Sequence, residues 1–332
     1  MSVIYERMHR NANEASADQA LLALQEMMLN AVTNGALERI DRRVERGNSL
    51  RPWGVHLHGP VAGSPLAAAD QTFLTTYPDA ILSQTPVTDA AMYPVAAATE
   101  GLAAVGVLAR ERKNRQLFAS AAMQLCRSAM EGSARTIWLL SDSSNQERGS
   151  RCLTLLAQEL SEQKKFLGHQ DAVLHAVATP PPPERFTELT DHRQKVDAFL
   201  AHLTTTYSPT NFKGFTKTVT RAATWIDGHQ PAHDTGELAS GPLTPAADTF
   251  YSYGSSFVHG LQWAIDYAKE NRLYGMIGDG LFSALIMTEC AIALFEALSR
   301  DPAAADTPHE DSRVPAYLEP TIQDWAQMYS KP

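Results

Sequence analysis

The chain has 332 residues, 44 % hydrophobic, 20 % charged and 8 % aromatic, and its net charge of −9 comes from 37 acidic and 28 basic side chains. A chain of this length can bury a core that needs no disulfide or metal staple, and the composition is ordinary for a globular protein, so disorder is not the expected class. The acidic balance argues against a general polyphosphate-binding surface, so nucleic acid could be held only by a local basic patch.

In chain order, Met1 to Arg10 is charged early and lacks an apolar stretch, so a secretory signal is not expected. A first helix is predicted from Ala17 to Glu45, with Asn34-Gly35 a candidate break. Its arginines Arg39, Arg42, Arg43 and Arg46 form one basic cluster, and Arg110, Arg112, Lys113 and Arg115 form another; both read as solvated helix ends. The Pro- and Gly-rich stretch from Asn48 to Pro65, which carries His56 and His58, reads as a loop. Helices follow over Ala67 to Tyr77 and Pro86 to Lys113, with Pro94 marking a start or a kink. Leu117 to Leu140 and Asn145 to Gln170, joined by Ser141-Asp142-Ser143, read as an antiparallel hairpin.

Four consecutive prolines ending at Pro183 favour polyproline II and form a stiff connector. Beyond it helices are predicted over Leu189 to Tyr207, Thr210 to Ile226, Pro245 to Asn271 and Gly280 to Arg300, and the tail from Pro302 shows little periodicity before Ile322 to Tyr329. The apolar run from Gly280 to Leu298 is interrupted by Thr288, Glu289 and Glu296, which marks a core helix and not a membrane span. Cys126, Cys152 and Cys290 lie in apolar helical stretches without CxxC spacing and read as reduced, buried thiols of a cytoplasmic protein. The expected fold is an all-α multi-helix bundle with long antiparallel helices and little or no sheet. It is a single helical domain over 1–332, divided into an N-terminal part (1–115), a hairpin (116–178), the connector (179–184), a C-terminal core (185–300) and an irregular tail (301–332).

Two helices carry the candidate chemistry. At 100° per residue, Phe118, Ala122, Leu125, Ala129, Gly132, Thr136 and Leu140 share one band, while Met123, Cys126, Met130 and Ile137 make the opposite flank apolar too. Only Gln124, Arg127, Ser128, Glu131 and Arg135 remain as a thin polar stripe, and a helix apolar over most of its circumference is a buried one. Arg127 and Glu131 stand at i,i+4 and can pair; the stripe is either a structural ion pair or the wall of a cleft. Downstream, Asp248, Ser252, Ser255, His259, Gln262 and Asp266 line one edge of an aromatic helix. That edge is either solvated or the facing wall of the same cleft. Glu289, mid-helix in an apolar run, is a satisfied structural carboxylate or a third wall.

Other chemistries find little support. Glu6-x-x-His9 is a single ExxH unit, and a carboxylate-bridged di-metal bundle needs two. No G-x-S-x-G elbow occurs. Gly275-Met276-Ile277-Gly278-Asp279-Gly280 has no preceding strand and no following Lys-Ser/Thr, so it reads as a helix-to-helix turn. No cofactor or metal is expected.

Arg127-x-x-x-Glu131 followed by Trp138-Leu139-Leu140, together with Tyr253-Gly254-Ser255-Ser256-Phe257-Val258-His259-Gly260, resembles the helical HEPN-like superfamily over roughly Leu117 to Arg300. The resemblance implies a bacterial helical protein. Active members are metal-independent ribonucleases in which an Arg and a His on one helix act at the scissile phosphate, commonly across a dimer. Here His259 occupies the histidine position, whereas Ser252, Tyr253 and Gly254 hold the places of the arginine. Two functions therefore stand. The first is a non-catalytic interaction or regulatory protein that self-associates or binds a protein partner. The second is a ribonuclease or nucleotide-acting enzyme of a defence or toxin system, with His259 as acid/base, Arg127 stabilising phosphate charge and Glu131 orienting it, and with Arg135, Ser255, Tyr251 and Glu289 as binding residues. No membrane partner is expected.

Overall fold

The computed structural model describes residues 33–111, 118–179, 182–234, 236–238, 241–267, 272–301 and 313–330, and all regular structure among them is helical. In chain order these are α1 (33–49), α2 (Arg51–Val55), α3 (Pro65–Thr76), α4 (Pro86–Glu111), α5 (Ala119–Leu140), α6 (Asn145–Ala176), α7 (Pro183–Tyr207), α8 (Phe215–Gly228), α9 (Leu243–His259), α10 (Trp263–Tyr267), α11 (Arg272–Ser299) and α12 (Glu319–Ser330). The all-α multi-helix expectation holds. Glu6, His9, the beginning of the first predicted helix and the basic residues Arg112, Lys113 and Arg115 lie outside the described residues.

Helix α11 is the axis of the core. From Gly280 to Ser299 every residue but Phe282 is buried, so no polar face remains and neighbours must cover it all round: α5, α12, α9, α4, α3 and α8 do so. Both α4 and α11 are long and apolar enough to cross a membrane by length and composition, and 94 % of the apolar window of α11 is enclosed by the rest of the chain. Small residues set the closest approaches. A Cβ added at Gly280 would stand 2.2 Å from the Phe250 ring, and one at Gly132 would stand 2.4 Å from the Pro94 carbonyl oxygen. Glycine at these two places lets α9 reach α11 and α5 reach α4.

Several boundaries differ from expectation, each for a local reason. The Gly275–Gly280 stretch is helical within α11, because Ile277, Gly278 and Gly280 are buried and the packing outweighs the weak helical preference of glycine. The helix predicted from Pro245 to Asn271 ends at His259, capped by Gly260 in the left-handed conformation at φ 64°. Asn34-Gly35 does not break α1. Pro94 lies inside α4, which runs on through it. Helix α6 packs on α7 and α3 more than on α5, so its closest antiparallel partner is α7, and a cavity opens between α5 and α6.

Candidate functional site

The polar stripe of α5 faces two ways. Toward α9, Arg127 and Glu131 form the anticipated ion pair at 2.9 Å, and Tyr251 closes it. The Tyr251 hydroxyl donates to Glu131 Oε1 at 2.8 Å and accepts from Arg127 Nη2 at 3.0 Å, while the guanidinium lies over the Tyr251 ring, 4.8 Å from its centre. Gly254 admits this approach: a Cβ there would stand 3.2 Å from Arg127 Cβ. Burial, and then the neighbouring Glu131 carboxylate, push the Tyr251 phenol above its usual range, so it serves as a neutral donor. Arg127, Glu131 and Tyr251 thus close a ring through Arg127 Nη2, while the buried Arg127 Nε has no partner.

Toward α4 and α6, the same stripe floors a cavity of about 570 Å³. Ser128, Glu131, Gly132 and Arg135 contribute from α5, and Leu155, Leu156 and Glu159 from α6. On the α4 side stand Asp89, Ala90, Tyr93 and Pro94. Arg135 is tied to Glu159 across the gap between α5 and α6. Asp89 accepts from the hydroxyls of Ser83 and Thr85, which fastens the start of α4. Pro94 has no N–H, so the carbonyl of Ala90, four residues back, receives no helical donor from it. Cys152 also lines the cavity, but its burial pushes the thiol well above its usual value, which makes it a poor nucleophile.

The remaining anticipated residues lie apart from this ring. His259 is the exposed last residue of α9. Eight positions beyond Tyr251, it is displaced roughly 12 Å along the helix. Ser255 is half-buried on the same helix. Of the α9 stripe, Ser252, His259, Gln262 and Asp266 are exposed, and the face that meets α5 carries Tyr251 and Gly254 instead. The stripe also loses its continuity at Gly260, where α9 ends.

Glu289 belongs to a different cluster, in which it and His233 are fully buried and Arg46 and Tyr317 are half-buried. Arg46 donates to both of its oxygens, at 2.9 and 2.7 Å, Tyr317 donates to Oε1 at 2.7 Å, and His233 Nε2 stands 3.4 Å from Oε2. Two turns further along α11, Glu296 accepts from the Trp53 indole at 2.6 Å and pairs with His58 at 3.0 Å. Arg43 is buried as well, bonded to Glu237 at 2.9 Å and to the Gly278 carbonyl at 2.6 Å beside a second cavity of about 410 Å³. Arg43 and Arg46 are therefore not a solvated basic patch; α1 turns that edge into the core. Among the described residues, no group of three or more His, Cys, Asp or Glu could hold a metal ion.

Of the anticipated residues, Arg127, Glu131 and Tyr251 come together, Arg135 joins them through the cavity wall, and His259 and Glu289 stand elsewhere. Sequence reasoning missed Arg46, His233, Tyr317, Trp53 and His58; the usable signal was a pair of carboxylates, Glu289 and Glu296, in an apolar run that demands partners. No family model, no curated protein and no solved structure matches this chain.

Proposed function

We propose that the chain is a non-catalytic helical interaction or regulatory protein of HEPN-like character, one that binds through the cavity between α4, α5 and α6. The observation that carries this reading is the state of Arg127. Its guanidinium is already engaged by Glu131 and Tyr251. A phosphate would have to displace a carboxylate that stays bound to its own helix, so the electrostatic stabilisation a ribonuclease needs is not free to act. His259, the group that would move a proton, sits in solvent at the end of α9, apart from that ring. A proton-transfer group must stand within hydrogen-bond reach of the reacting atoms to contribute. The cavity supports a binding role because its size and mixed lining are those of small-molecule sites.

The test is hydrolysis. The full chain and a His259→Ala variant are incubated with total RNA and with nucleotides, without added metal. Equal, background turnover by both is the expected result. Turnover by the wild type that disappears in His259→Ala would overturn this reading in favour of a metal-independent nuclease.

A further inference from the structure

The hydrogen-bonding groups around the α4–α5–α6 cavity are unevenly matched. Its lining holds three carboxylates, Asp89, Glu131 and Glu159, against one guanidinium, Arg135. That guanidinium is paired with Glu159 through Nη2, while its buried Nε has no partner. Glu131 meets Arg127 and Tyr251 through Oε1, which leaves its second oxygen out of the ring. The partners of Asp89 are the hydroxyls of Ser83 and Thr85, which bring no compensating charge. The Ala90 carbonyl lacks the helical donor that Pro94 cannot supply. Glu131 and Glu159 each have a guanidinium beside them, whereas Asp89 has none, and the neighbouring Ala90 carbonyl receives no donor from position 94. Apart from Ser83 and Ser128 the rest of the lining is mostly apolar and aromatic, with Phe73, Leu155, Leu156 and Phe215 among it, and Leu82 and Tyr93 are 66 % and 61 % exposed, as befits an entrance.

We propose that this cavity binds a hydrophobic organic cation, a primary or secondary amine carried on an aromatic or branched aliphatic body. The body fills the space between α4 and α6. The ammonium group donates to the Asp89 carboxylate and the Ala90 carbonyl, where charge and donor count are both complementary. The aromatic face of Tyr93 at the entrance favours a cation as well. This inference rests on the reading of the chain as a binding protein. The two fail separately: RNA turnover dependent on His259 removes that reading, whereas absence of amine binding without turnover removes only the ligand assignment.

The experiment is calorimetric titration of the full chain at neutral pH with three probes that share one body: naphthylmethylamine, naphthylmethanol and naphthoate. The amine is expected to bind about tenfold or more tightly than the alcohol, with naphthoate weakest. Asp89→Asn is expected to bring the amine down to the level of the alcohol and leave the alcohol unchanged. Ala90→Leu, which fills the cavity from α4, is expected to remove binding of all three. Circular dichroism checks that the variants fold. If Asp89→Asn loosens the start of α4, the ranking of the three probes on the wild type and the Ala90→Leu result still decide. Naphthoate binding tightest, no probe binding the wild type, or amine binding that survives Ala90→Leu would each overturn the proposal.

Discussion

Glu289 and Arg127 are both charged side chains on long, mostly buried helices, and the fold treats them in opposite ways. Glu289 is fully enclosed on α11, and its partners Arg46, Tyr317 and His233 come from three separate stretches of chain. Arg127 keeps 18 % of its side chain in contact with solvent, close to the 21 % of Arg46, but its carboxylate partner is itself 22 % exposed and one helical turn away on the same α5. A pair assembled from distant segments ties those segments together. A local pair with one added tyrosine organises a surface, and beside that surface the chain leaves a cavity. The contrast separates charge that serves architecture from charge that borders a place for a ligand.

The largest effect is expected at the architectural end. Glu289→Gln removes the charge that Arg46 needs while keeping the shape. The guanidinium is then left largely buried without its counter-ion, at a cost of about 3 kcal/mol. Urea denaturation measures it, and a loss below about 1 kcal/mol would break the comparison, since it would make the enclosed cluster no stronger than a surface pair. A smaller effect is expected from Tyr251→Phe, which removes the hydroxyl shared by Arg127 and Glu131 but leaves their own pair intact. About 1–2 kcal/mol is the expected loss by the same method. A cost equal to that of Glu289→Gln would mean that the α5–α9 ring is also a main tie of the fold.

The most modest effect is a pH dependence. The Glu296 carboxylate, 3.0 Å from Nε2, raises the His58 imidazole above its usual value near 6.5, against the opposing effect of burial. The folded value lies above the unfolded one, so this contribution is complete below about 6.5 and is lost as pH rises through the higher folded value. Thermal melts from mildly acidic to mildly alkaline pH are expected to show that decline, and His58→Gln to flatten it. An unchanged slope in His58→Gln would assign the pH dependence to another group.

Much of this was legible in the sequence, for a reason that also explains the gaps. The long helices, the enclosed α11 and the Arg127–Glu131 pair follow from periodicity within one segment, which the sequence displays directly. The partners of Glu289 do not, because Arg46 lies 243 positions away, His233 comes from a turn and Tyr317 from a single turn of 3-10 helix. The arginines of α1 look like a solvated face when counted along one helix; only the placement of α11 turns Arg43 and Arg46 inward. His259 illustrates the converse. It sits in register with Ser252 and Ser255, but the left-handed Gly260 ends the helix beneath it, and periodicity does not report where α9 stops. The cavity was half legible. The α5 stripe admitted a cleft as one of its two readings, whereas Asp89 and Ala90 acquire meaning only through the proline inside α4.

The Arg46–Glu289 pair also orders events in the making of the protein. Synthesis delivers α1 long before α11, and the two must join across 243 positions. Until then Arg46 has to stay hydrated, because hiding an unmatched guanidinium costs more than the contacts around it return. Helix α1 is therefore expected to dock only once α11 is available, and nascent chains that stop short of α11 are expected to keep that edge of α1 in water. A pair that ties the finished molecule together is thus expected to act earlier as a timing device, keeping α1 from closing on the wrong partner.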